Sequence, residues 1–233
     1  MSDMIKFDAT GNPEFPTLIL CQQNGDKIDV LHKSYNIHFS DNLNSPSECS
    51  FSYSKYVNGK FFTLWNELKD FRIIHVPEWR KRFSITTSIN EDDENIKQIS
   101  GVSLCESELS QLNLYDVEIN TEADIARKDY VKTVLYNAKD VNGSLLDRLL
   151  NDKAPHYKII HVDSSIANLQ RTFSFDGTSI YDAFMEIAEE IHCLFVFGEE
   201  TEEGYFRTIS VYDLENYCND CDNRGEFHGK CPK

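Results

Sequence analysis

The apolar period of this chain changes partway along it, and that change limits what it can fold into. Between residues 17 and 102 apolar side chains tend to recur at every second position. From Ile180 to Ile191 they recur every three to four. A period of two belongs to strands with one buried face, and a period near 3.6 to a helix with one buried stripe. An α+β chain with a β-rich first part is therefore expected.

The first part carries many short strand-like runs. "TLILC" (Thr17–Cys21), "KIDVLHK" (Lys27–Lys33), "YNIHF" (Tyr35–Phe39), "FSYSKYV" (Phe51–Val57), "FRIIHV" (Phe71–Val76), "FSITTSI" (Phe83–Ile89) and "NIKQISGV" (Asn95–Val102) follow one another. Asn24-Gly25 reads as a two-residue hairpin turn, and Asn58-Gly59 as another turn, because Asn and Gly tolerate the positive φ that tight hairpins need. The acidic run Glu91–Glu94 sits where a further turn should be. Short strands with turns at intervals predict a small barrel or sandwich; a β-barrel-like domain is assigned to residues 1–125.

The stretch Ser103–Asn120 supports two readings. Ser103 and Glu106 have capping-box spacing, whereas Leu112, Leu114, Val117 and Ile119 fit strands. Beyond it the texture changes. Ser144–Leu150 reads as a short helix, Tyr157–Val162 and Arg171–Phe175 as strands. Asp176–His192 is the clearest helix, with Ile180, Ala183, Phe184, Ile187, Ala188 and Ile191 on one stripe. Ser179 and Asp182 again have capping-box spacing. Cys193–Phe197 and Phe206–Leu214 form a hairpin across an acidic turn. A compact α+β domain is assigned to residues 126–216, with the boundary falling between Ile119 and Asp140.

Composition excludes several functions. Thirty-nine acidic against 23 basic residues give a formal net charge of −16. No basic stripe is present, so sequence-specific nucleic-acid binding is not expected, and an acidic surface disfavours anionic membranes. No apolar run is long enough to span a bilayer and no secretory leader is visible, so no membrane anchor is expected. No G-x-S-x-G, H-E-x-x-H or Walker A pattern occurs. "HVDSS" (His161–Ser165) gathers a His, an Asp and serines, but triad geometry is spatial and this spacing argues for nothing. Glu106 and Glu108 are the carboxylates closest to an acid–base pair, with nothing to place them in a cleft. "FFTLW" (Phe61–Trp65) and Trp79 are candidates for an aromatic binding surface, and core packing explains them more simply. No catalytic residue is assigned and no enzymatic activity is expected.

Seven cysteines occur. Cys21, Cys49, Cys105 and Cys193 are scattered among strand-like residues and read as reduced, mostly buried thiols. Cys218, Cys221 and Cys231 are clustered in residues 217–233. Cys218-x-x-Cys221 is the turn that folds two thiolates onto one tetrahedral zinc ion, and Cys231-Pro232-Lys233 reads as the start of a second. These three cysteines are the candidate metal ligands, with His228 as a substitute fourth. Structural zinc is expected in the intact protein. The chain as given holds an incomplete set, and no bound cofactor is expected in it.

Three blocks together resemble a known family: Ser100–Asn120, Ser144–Phe197 and Arg207–Cys221. They are similar to the N-terminal part of phage tail proteins from prophages of Gram-positive bacteria, the minor structural, tail-associated or prophage endopeptidase tail proteins. The resemblance covers most of residues 70–233 and is weaker before that. It implies a fold like the baseplate hub of phage tails, in which barrel-like and α+β elements form a homotrimeric ring at the tail tip. It implies a structural subunit joining the tail tube to distal components, with the distal tail and tape measure proteins as partners. The implied location is the virion tail, after assembly in the bacterial cytoplasm. It also implies that this chain is an N-terminal fragment whose cysteine tail continues into C-P-x-C. Two alternatives are a part of a tail-associated peptidoglycan hydrolase and a cell-wall saccharide-binding module.

Overall fold

Leu31, His32 and Lys33 are all that separates two strands at opposite ends of one sheet, and this short link shapes the first part of the molecule. The computed structural model describes residues 16–40, 45–90 and 95–214. Its first strands are β1 (Ile19–Cys21), β2 (Lys27–Val30), β3 (Ser34–Ser40), β4 (Glu48–Ser54), β5 (Tyr56–Val57) and β6 (Lys60–Phe61). A short helix α1 (Leu64–Glu67) precedes β7 (Ile73–Val76), β8 (Lys81–Asn90) and β9 (Ile96–Ser103). Seven strands form one antiparallel sheet in the order β2-β1-β7-β8-β9-β4-β3. Laid flat, inter-strand spacings of about 4.8 Å would hold β2 and β3 roughly 29 Å apart. The chain from Val30 to Ser34 reaches at most about 14 Å. The sheet must therefore curl until its edge strands approach each other. Among the described residues no ladder joins β2 to β3, so this barrel-like sheet is open along one seam.

Alternation fills the concave side. Leu18 and Leu20, Cys49, Phe51 and Tyr53, Ile74 and Val76, Phe83 and Ile85, and Ile99 are all buried in one cluster. Each fully buried side chain of this size contributes roughly 1.5–3 kcal/mol relative to exposure. Helix α1 closes the cluster with Trp65, and Leu68 follows it inward. The Lys97 ammonium on β9 donates to the carbonyls of Trp65 and Leu68, both at 2.9 Å, and lies 4.8 Å from the Trp65 ring centroid. It thereby satisfies carbonyls that the short helix leaves open. Desolvation holds its pKa below the ordinary lysine value.

The two Asn-Gly turns differ. Asn58 and Gly59 both take positive φ, 50° and 75°, the signature of a type I′ turn between β5 and β6. The expected two-residue turn at Asn24-Gly25 is instead a five-residue loop. Cys21 pairs with Lys27 after a register shift, and only Gly25 is left-handed, at φ 90°. Asn24 uses its side chain locally: its Oδ1 accepts from Asp26 N (3.1 Å) and its Nδ2 donates to Asp26 Oδ2 (2.7 Å).

The chain divides into two compact units, Met1–Ser107 and Glu108–Lys233. This division falls earlier than the Ile119–Asp140 window read from composition, because β10 (Val117–Ile119) pairs with a strand of the second unit. Each reading of Ser103–Asn120 holds in part: a helix at the start, and a strand at Val117–Ile119 but not at Leu112 and Leu114. Helix α2 (Leu104–Leu109) runs first, with the Ser103 hydroxyl donating to the Glu106 carboxylate, and β10 follows. The remaining elements are α3 (Glu122–Ile125), α4 (Leu145–Leu150), β11 (Lys158–Val162), α5 (Ser164–Ala167), β12 (Phe173–Phe175), α6 (Ile180–Ile191), β13 (Cys193–Phe197) and β14 (Thr208–Asp213).

The second unit is built around α6. Its expected stripe is buried throughout, and Phe184 stacks on Phe195 of β13 at 5.1 Å. Ser144 and Ser179 cap α4 and α6, each hydroxyl accepting from an N–H three residues on, at 3.3 and 3.0 Å. Strands order as β11-β14-β13, with β11 parallel and β13 antiparallel to the central β14. A polar knot fastens the residues between α3 and α4. Asn120, left-handed at φ 50°, donates to the carbonyls of Thr133 (2.8 Å) and Arg171 (3.0 Å) and accepts from Thr133 N (3.1 Å). Arg148 donates to Thr133 Oγ1 (2.8 Å) and the Glu118 carbonyl (2.9 Å), beside the buried carboxylate of Asp124 at 3.5 Å.

Gly101 is the tightest point of the first unit. It pairs with Cys49 and Ile85 on neighbouring strands, and an added Cβ would lie 2.8 Å from the Ser84 carbonyl oxygen and 3.3 Å from Cys49 Sγ. Gly101→Ala is expected to destabilise the protein by about 1–3 kcal/mol in urea unfolding; an unchanged midpoint would show that the sheet has room there.

Candidate functional site

Cys218, Cys221, Cys231 and His228, the expected metal ligands, lie outside the described residues. So does the acidic turn Glu91–Glu94. Among the described residues no group of three or more His, Cys, Asp or Glu side chains converges as a metal site.

Cys21, Cys49, Cys105 and Cys193 are buried thiols, as their scattered apolar settings predict. Burial pushes the Cys49 and Cys193 thiols up to about 12 from an ordinary 9.0, which leaves them protonated and unreactive at neutral pH. The folded state keeps these protons where the unfolded chain gives them up. Their contribution is therefore complete below pH 9 and is lost as pH rises toward about 12. Urea unfolding is expected to show stability falling across this alkaline range, with a shallower fall in a Cys49→Ala, Cys193→Ala protein; equal slopes would contradict it.

The "HVDSS" residues are assembled differently from a nucleophile and base. His161 Nε2 meets Asp163 Oδ1 at 2.9 Å, and the imidazole stacks on Tyr212 at 4.9 Å. The Ser165 hydroxyl gives its proton to Asp213 Oδ2 at 2.6 Å, so that proton is not on a path to the imidazole. Asp163 Oδ2 accepts from Asp213 N at 2.7 Å. The cluster ties the start of α5 to the end of β14.

Glu106 and Glu108 are also engaged. Glu106 is buried and takes the Ser103 hydroxyl. Glu108 receives Arg207 through Nε (2.8 Å) and Nη2 (2.7 Å), a bidentate pair, and the Tyr157 hydroxyl at 2.9 Å. This clamp joins the first residue of the second unit to a partner 99 positions away. Local period carried no signal for it; only the pairing of β11 beside β14 brings Tyr157 and Arg207 together.

The aromatic candidates separate into two groups. Trp65 is buried, while Phe62 and Trp79 pack on the same core, Trp79 edge-on to Phe39 at 4.4 Å. Phe61 is 43% exposed and pairs across the β5–β6 hairpin with Tyr56, 48% exposed, at 5.8 Å. Lys55 Nζ lies 5.8 Å from the Tyr56 ring. Among the described residues of the first unit, this hairpin thus presents an exposed aromatic pair rimmed by lysine.

A curled seven-stranded sheet followed by a three-stranded α+β unit defines a β-rich α+β protein. No known sequence family matches the chain, and no curated protein matches it. Solved structures do. The prophage tail protein gp18 of Listeria monocytogenes EGD-e is similar with a TM-score of 0.53 at 9% identity, over 86% of this chain and 52% of that one. A tail protein from Neisseria meningitidis MC58 gives 0.45 at 12% identity, over 85% and 50%. The 43 kDa tail protein of prophage MuSo2 from Shewanella oneidensis gives 0.46 at 10% identity, over 86% and 56%. Of these three, the first supports a shared fold, and at such identity the likeness is one of fold. The chain spans about half the length of these proteins.

Proposed function

We propose that this chain is a structural subunit of a phage or prophage tail, a hub-like part of the tail tip or baseplate that links the tail tube to distal components. The observation that carries the reading is the fold shared with the Listeria prophage tail protein across 86% of the chain. The three sequence blocks that resemble tail-associated proteins support it independently. In this reading the chain acts in the virion tail as a homotrimer, after assembly in the bacterial cytoplasm. Distal tail and tape measure proteins are its neighbours. Its role is mechanical rather than catalytic. The carboxylates and the His-Asp pair described above serve to hold elements together, which fits that role. Cys218, Cys221 and Cys231 are ligands of a structural zinc in the intact protein, on the strength of their type and spacing.

Deleting the coding sequence is expected to yield particles without functional tails, restored by supplying the chain in trans. Normal infectious tails without it would overturn the proposal. Turnover of purified peptidoglycan by the isolated chain would favour the hydrolase alternative instead.

A further inference from the structure

The β5–β6 hairpin differs from the rest of the chain in charge. No Asp or Glu occurs between Glu48 and Glu67, in a chain with 39 of them, and the hairpin itself carries Lys55 and Lys60. Its aromatic pair is exposed and lies outside the core cluster, which Phe62 and Trp65, next along the chain, join. The Asn58-Gly59 turn fixes the hairpin register and so the placement of Tyr56 opposite Phe61. Lys55 N donates no closure to the hairpin tip but its carbonyl accepts from Phe62 N at 3.0 Å, and its own N–H reaches the Asn95 carbonyl at 2.7 Å. The hairpin is therefore held at its base.

The outward face of α6 has the opposite character. Asp182, Glu186 and Glu189 are exposed at i, i+4 and i+7, a single acidic stripe. Asp182 also accepts from Ser179 at 2.6 Å, and the neighbouring exposed Glu190 pairs with Arg171 at 3.5 Å; Glu186 and Glu189 carry the rest of the acidic face. Two lysines are too few to hold a polyanion by charge alone. An exposed aromatic pair rimmed by lysine has the composition of a protein contact, with aromatic anchors at the centre and charge at the rim. We propose that the hairpin Lys55–Phe61 is a docking arm for a second copy of this chain and seats on the acidic face of its α6. The contact is heterologous: each copy offers a hairpin and receives one, which generates a closed ring when the rotation between copies closes. The inference rests on the reading of the chain as a self-assembling tail subunit.

Zero-length carbodiimide cross-linking of a mixture of natural-abundance and 15N-labelled chain tests it, read by mass spectrometry. Mixed-isotope links from Lys55 or Lys60 to Glu186 or Glu189 are expected. Lys55→Glu with Lys60→Glu is expected to weaken self-association about tenfold or more in sedimentation, and adding Glu186→Lys with Glu189→Lys should restore it. Tyr56→Ala with Phe61→Ala should weaken association with the charges intact; Tyr56, Lys60, Phe61, Glu186 and Glu189 are exposed, Lys55 is half-buried with its ammonium 5.9 Å from the Trp65 ring, and circular dichroism confirms folding. Inter-chain links elsewhere, with the charge-reversed hairpin associating like the original, would reject this contact while leaving the tail-subunit reading in place. A chain that stays monomeric and forms no mixed-isotope links would reject the contact and count against the trimer as well. Capture of a cell-wall saccharide by Tyr56 and Phe61 without self-association would overturn the proposal in favour of a sugar-binding surface.

Discussion

The curl of the seven-stranded sheet is the constraint from which the first unit follows. A sheet whose two edge strands are consecutive in sequence cannot stay flat when Leu31–Lys33 is the only bridge between them. Curling creates an enclosed concave side, and the period-two pattern supplies the apolar residues that fill it. Gly101 is favoured locally, since Ser84 and Cys49 approach it from neighbouring strands. The ends of such a sheet still need cover, and α1 provides it, its open carbonyls taken up by Lys97.

The second unit depends on a different device. Helix α6 buries one stripe against β13, and the strand order β11-β14-β13 places β14 at the centre. Two polar clusters then fix the irregular segments: Asn120 with Thr133 and Arg148, and Glu108 with Arg207 and Tyr157. A short polar side chain in a left-handed conformation suits Asn120, since it turns the chain while its amide satisfies three backbone groups. Partly buried polar groups of this kind are costly when left unbonded, and here they are bonded several times over.

Sequence pattern read the local features well and the distant ones poorly. The α6 stripe, the Ser144 and Ser179 caps and the Asn58-Gly59 turn each depend on residues within one turn of structure, and each was readable. The Asn24-Gly25 loop was misread because the side chain of Asn24 bonds Asp26 and lengthens the loop. The division at Ser107 and Glu108 has no local signal, because the pairing of Val117–Ile119 with Phe173–Phe175 spans more than fifty residues and no local period records it. The Glu108–Arg207 clamp and the parallel β11–β14 ladder were invisible for the same reason. Among the aromatics, Phe61 and Phe62 are neighbours of identical type, and only the hairpin geometry decides that one faces out and the other in. The cysteine cluster, expected as a ligand set from its spacing, lies outside the described residues.

The proposed tail role is compatible with a chain whose polar clusters bind element to element and whose exposed aromatics sit on a hairpin. The most direct measurement is an electron cryomicroscopy reconstruction of the intact phage tail carrying this chain. The account predicts three copies around the tail axis at the tip, each with the curled seven-stranded sheet followed by the α6 unit. Finding the chain absent from the tail, or present there without these two units, would contradict it.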